Sequence, residues 1–112
     1  MTKPMPAKDL SREDPRPMEA TIDGYAWLPR MIDKARASRN GTLGDYYRYP
    51  CPIDRTCLDR LGIDAETFAD IAQTAVSDHD VVCALQSAGA RPAPDAWFDP
   101  IRLNEQLHDK AS

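Results

Sequence analysis

Four times from residue 54 onward a helix-capping residue stands where a short apolar helix would begin. Asp54 precedes Cys57, Leu58 and Leu61, with Gly62 as the stop. Asp64 precedes Phe68, Ile71, Ala72 and Ala75, which share one helical face. Ser77 and Asp80 have the spacing of a capping box, and Gly89 supplies the next stop. Asp99, followed by Pro100, opens the last such segment. At the last three starts an apolar residue before the cap faces another in the first turns: Ile63 with Phe68, Val76 with Val81, Phe98 with Leu103. Such a hydrophobic staple fixes how the chain enters a helix.

A fifth helix comes earlier, in WLPRMIDKARASRNG. Pro29 suits its first position and Asn40-Gly41 its end. Met31, Ile32 and Ala35 form its apolar stripe, with Arg30, Asp33, Lys34 and Ala37 elsewhere. No segment alternates with β-branched residues over four or more positions. The expected fold is therefore all-α: about five short helices, one long ordered irregular loop at 41–54, and an extended N-terminal segment. Length fits one domain, with 112 residues and 42% hydrophobic composition. Residues 1–20, with four prolines, mixed charge and no periodicity, are expected to be extended or disordered, with Leu10 and Met18 available to dock. Residues 21–112 form the single helical domain. ARPAPDAWFD is a proline-rich connector carrying Trp97.

The loop GTLGDYYRYPCPID concentrates three tyrosines, two prolines and a cysteine. Loops this long in compact domains are functional or disordered. Each tyrosine ring gains about 1.5–3 kcal/mol on burial, so this loop should pack and line something. Tyr46, Tyr47 and Tyr49 are expected as pocket walls, having an apolar body and a polar tip. Cys51 lies between two prolines that hold it extended. There it is either a small apolar filler or a reactive thiol, activated by Arg48, Arg55 or the following helix start. Asp45 is either a turn residue after Gly44 or a general base. Asp54 is a helix cap first and a ligand contact second. Cys57 and Cys83 fall on helix stripes and read as core, as do Trp27 and Tyr25.

Charge is uneven. Residues 24–60 carry a net +3 and residues 61–112 a net −6, within a total of −4. A local positive field raises anion occupancy, so an anionic metabolite or peptide is the expected ligand. A +3 patch on an acidic chain releases few counterions, which argues against nucleic acid. No run approaches the roughly 18 apolar residues that a membrane span needs. The N-terminus has no apolar stretch of the signal-peptide kind, and three cysteines make an odd, reduced set. A cytoplasmic location follows as the expectation. His79 and His108 are far apart and no CxxC or HxxxH pair occurs, so neither a metal nor another cofactor is expected.

On the Pro29 helix, Asp33 lies three residues from both Arg30 and Arg36, the spacing of a surface ion pair. With the loop folded over this face, Arg30 and Lys34 become an anion clamp, and Asp33 or Asp45 moves a proton. Lys34, desolvated against tyrosine rings, is itself a proton-transfer candidate. The leading reading is a small cofactor-free enzyme or tailoring protein doing acid–base chemistry in a pocket between 29–39 and 41–54. Its size also suits a homodimer sharing that pocket. The alternative is a non-catalytic adaptor that uses the tyrosine loop and Trp97 to dock a protein. A redox regulator acting through Cys51 is a third.

GYAWLPRMIDKARA, GTLGDYYRYPCPID and the following LGID resemble a bacterial family of short proteins classed as a domain of unknown function. Its members read GY-WLPR-IDKARA, then G-LG-Y-YPCP-D, then a leucine-rich short helix and LGI. The resemblance spans roughly residues 9 to 107 and implies no assigned activity. Its blocks contain Trp27, Pro29, Arg30, Asp33, Lys34, Gly44, Tyr49, Pro50, Cys51, Pro52 and Asp54. This chain has one more residue in DYYRYP than the family pattern, so the resemblance ties no role to a particular tyrosine.

Overall fold

The computed structural model describes residues 8–90. Within them the order is β1 (Thr21–Ile22), β2 (Tyr25–Ala26), α1 (Leu28–Asn40), α2 (Pro52–Leu61), α3 (Ala65–Thr74) and α4 (Asp78–Ser87). The fold is mostly helical, with four helices among the described residues and one small antiparallel hairpin. The helix expected after Asp99 and the connector with Trp97 lie outside the described residues.

The hairpin corrects the all-α expectation. Ile22 pairs with Tyr25 and Thr21 with Ala26. Asp23 and Gly24 between them both have positive φ, 50° and 87°. That backbone needs residues tolerant of the left-handed region, and Asp-Gly is a preferred pair for a two-residue hairpin turn. The strands are too short for alternation to show, so only the dipeptide announces them.

The helix grammar holds at α3 and α4. Asp64 caps α3, its carboxylate accepting the Thr67 N–H at 2.8 Å. Ser77 caps α4, its hydroxyl accepting the Asp80 N–H at 3.2 Å. Ile63 and Phe68 are both buried. α1 begins one residue before Pro29 and ends at Gly41, whose φ is 74°. α2 begins earlier than expected. Its N-cap is Cys51, and Asp54 is the third helical residue of a capping box.

α1 packs chiefly on α3, α3 on α4, and both α1 and α4 touch β1. Met31, Ile32, Leu61, Phe68, Val81 and Leu85 meet in the fully enclosed centre. Cys57 is in that core, as expected. Cys83 is not: it is exposed on α4, with His79 Nε2 at 3.5 Å from its sulfur. Leu10 of the N-terminal segment is buried and Met18 packs against the core. No helix among the described residues is long and apolar enough to cross a membrane.

Candidate functional site

Trp27 sets the site up. It stands at the N-terminal boundary of α1 with φ 74°, a conformation rare for a bulky residue. Such a backbone costs on the order of 1–3 kcal/mol. The indole is buried in return, and its Nε1–H donates to Asp54 Oδ1 at 2.7 Å. The left-handed turn thus carries the ring from the hairpin to the start of α2.

Asp54 is 0% exposed and gathers three donors. Besides Trp27, Lys34 Nζ donates to Oδ2 at 2.7 Å and the Cys51 backbone N–H at 2.9 Å. Lys34 is 3% exposed. Its ammonium also donates to Cys51 Sγ at 3.2 Å and lies 5.6 Å from the centre of the Trp27 ring. A buried ion pair is tolerated only when hydrogen bonds meet its remaining capacity, and here they largely do. The pair pins α2 to α1 at the point where the loop arrives through the cis Tyr49–Pro50 bond.

Above this cluster the loop closes on α1 and leaves a cavity of about 510 Å³. Among the described residues its charged lining groups are Arg30, Lys34 and Arg48, with no carboxylate. Trp27, Tyr46 and Tyr47 supply aromatic walls and Cys51 a thiol. The Arg30 guanidinium lies 5.5 Å from the centres of both the Trp27 and Tyr47 rings. Arg30 donates to the Arg16 carbonyl at 3.2 Å, while its Nε–H is shut off from solvent with no partner among the described residues. Tyr46 stands edge-on to Tyr47 at 4.9 Å and is 88% exposed. The Tyr47 hydroxyl donates to Asp14, and burial, then that carboxylate, push its pKa up.

The structure therefore brings Arg30, Lys34, Tyr46, Tyr47 and Cys51 together, with Asp54 directly behind. It does not bring the other three candidates there. Asp33 faces the N-terminal segment, 6% exposed. Its carboxylate accepts Arg16 N–H at 2.8 Å, Nε–H at 3.1 Å and the terminal guanidinium at 3.1 Å. Arg16 also grips Asp78. The expected Asp33 pairing with Arg30 or Arg36 is thus replaced by a clamp on Arg16, and its carboxylate is committed to structure. Asp45 is exposed and outside the lining. Tyr49 turns inward: its hydroxyl donates to the Ala65 carbonyl at 2.8 Å and its ring lies 6.4 Å from Phe68. Burial, reinforced by Asp54, holds its phenol well above the usual range. Tyr49 fastens the loop to α3; it does not wall the cavity.

Trp27, read from the sequence as core, is both core and cavity wall. Arg16 was hidden in the aperiodic N-terminal stretch, where only its place between Pro15 and Pro17 hints at an ordered strap. Among the described residues, no group of three or more His, Cys, Asp or Glu could hold a metal ion. No curated protein matches the chain. A family model does, over residues 12–106, with the description Domain of unknown function (DUF5069). The match includes the hairpin, the four described helices and every described residue that lines the cavity, and the chain belongs to that family.

Proposed function

We propose that this protein binds a small anionic ligand with a planar or aromatic part in the cavity between α1 and the 41–54 loop. The observation that carries this reading is the cavity's lining. Among the described residues, Arg30, Lys34 and Arg48 are its charged groups. Lys34 is already neutralised by Asp54, so the net attraction comes from the two guanidiniums. Arginine between aromatic rings suits a carboxylate or phosphate held in a plane.

Asp33 and Asp45 being elsewhere, any acid–base chemistry in the cavity falls to Lys34, with Cys51 as its neighbour. A ligand-binding protein is therefore the better-supported reading, and an enzyme is a narrower form of it. Three free cysteines suit a reducing compartment, and we place the protein in the cytoplasm. Docking of a partner protein is the second reading; the exposed ring of Tyr46 favours it.

Ligand binding to the folded state raises the melting temperature by mass action. Phenyl phosphate at millimolar concentration is expected to raise it by a few degrees in the wild type and in Arg55→Gln, whose exposed side chain lies outside the cavity. In Arg48→Gln the rise should shrink severalfold. Equal shifts in all three proteins, or none, would remove the anion site.

A further inference from the structure

Residues 8–18 run as a strap beside α1 and the 41–54 loop, and they meet the cavity's lining at three points. Met18 is part of its wall. The Arg16 carbonyl accepts an N–H of Arg30 at 3.2 Å. The Asp14 carboxylate accepts the hydroxyl of Tyr47 at 2.5 Å, across 33 positions of sequence. Burial and then Asp14 raise the pKa of that phenol, while Arg30 acts on the same hydroxyl in the opposite sense. Asp14, Tyr47 and Arg30 therefore form one chain of contacts from a carboxylate through a phenol to a guanidinium. The last two belong to the cavity.

A phenol has one O–H to donate. Here that donor is taken by a carboxylate from the chain's own N-terminal segment. Hydrogen bonds to a charged group are stronger than neutral ones, so a ligand that uses the Tyr47 donor must displace Asp14 from it. The strap itself is held by other contacts. Leu10 and Pro15 are buried on either side of Asp14, the Leu10 N–H donates to Thr42, and Arg16 is gripped by Asp33 and Asp78. Asp14 is exposed between these anchors, within reach of solvent and of a competing group.

We propose that Asp14 is a built-in competitor for the cavity: its carboxylate holds the Tyr47 hydroxyl that an anionic ligand would otherwise receive, and binding exchanges one acceptor for the other. This rests on the anion-binding reading of the same cavity and adds its regulation. While Asp14 holds the phenol, the site keeps Arg30 and Arg48 for a ligand but withholds the Tyr47 donor. Once Asp14 is displaced, phenol and guanidiniums act on the ligand together. The exchange of like for like also defines the ligand's polar end as an oxyanion, since the Tyr47 donor already serves one.

A double-mutant cycle on the full chain tests this. Phenyl phosphate is titrated calorimetrically into the wild type, Asp14→Ala, Asp45→Ala, Tyr47→Phe and the Asp14→Ala, Tyr47→Phe double variant. Asp45 is exposed on the same loop and outside the cavity lining, so its variant removes the same charge without freeing the phenol. Asp14→Ala should tighten binding about tenfold, the lower end of what a hydrogen bond to a charged group contributes. Asp45→Ala should change it by less than about twofold, since exposed charges are screened by salt. With Tyr47→Phe in place, the gain from Asp14→Ala should fall to that of Asp45→Ala, because no donor remains to be released. The competitor is overturned by equal gains in Asp14→Ala and Asp45→Ala, by weaker binding in Asp14→Ala, or by a gain that survives Tyr47→Phe intact. In each of those results phenyl phosphate still binds and the anion site stands without its competitor; no binding to any of the proteins takes both away.

Discussion

At the scale of single residues, Asp54 organises the site. The sequence reading made it a cap for its own helix. The structure makes it the third residue of the box that Cys51 caps, and also the counter-ion of Lys34 and acceptor of the Trp27 indole. The local half of that role was legible, since an acid near a helix start is favoured by the dipole. The other half was not. Lys34 and Asp54 are separated by 20 positions, and nothing in a single sequence marks two distant charges as partners. Removing one member strands the other in a dry environment, which costs about 3–5 kcal/mol. Asp54→Ala is expected to lose about that much stability in urea denaturation. Lys34→Met with Asp54→Ala together should lose less than the sum of the two single changes, by about 1–3 kcal/mol. Simple additivity would mean that the pair does not act as a unit.

At the scale of elements, the helices that the sequence announced most plainly are those whose ends are settled within four residues. Asp64 and Ser77 cap through N–H groups three positions on, and Gly41 and Gly62 end their helices with φ of 74° and 78°. α2 was misread at its start because cysteine is not among the common caps, while Pro52 at its first turn was the better signal. The hairpin was missed because two-residue strands leave no alternation, although Asp23-Gly24 marked it. Cys83 was assigned to the core by spacing alone, and α4 turns that position to solvent.

Asp64 gives this scale its test. Hydrogen bonds from the Thr67 backbone and hydroxyl hold its carboxyl below the ordinary carboxylate range. Unfolding therefore takes up protons in the window between the two values. The contribution is fully present above the unfolded pKa of about 4 and is lost as pH falls through the lower folded one. Wild type is expected to be more stable than Asp64→Asn at neutral pH, with the gap closing as pH drops below about 4. A gap that stays constant down to strongly acid pH would separate the cap from its charge.

At the scale of the whole molecule, distant pieces are tied together around the cavity by polar contacts that no periodicity foretells. The N-terminal segment, expected to be extended or disordered, runs along the loop. The Leu10 N–H donates to the Thr42 carbonyl and the Thr42 hydroxyl to the Lys8 carbonyl, both at 2.8 Å. Gly44 has φ 76° and passes so near Ser11 that a Cβ there would sit 3.2 Å from its backbone. Arg16 then joins this strap to Asp33 on α1 and Asp78 on α4, the latter 62 positions away. Tyr49 fixes the far end of the loop to the start of α3. The loop's density of tyrosine and proline announced that it packs, which holds for Tyr49, while Tyr46 stays 88% exposed. Which tyrosines face the cavity and which anchor the loop depended on tertiary partners.

The central proposal is that the cleft between the loop and α1 receives an anion. Trp27 reports on it directly, because its indole both lines the cavity and donates to Asp54. In a nitrogen–proton correlation spectrum titrated with phenyl phosphate, with Trp97→Phe to assign the indole signal, the Trp27 indole N–H and the Arg48 and Cys51 amides should move together and saturate. Signals from those three groups that stay fixed while phenyl phosphate is added to excess would contradict the account.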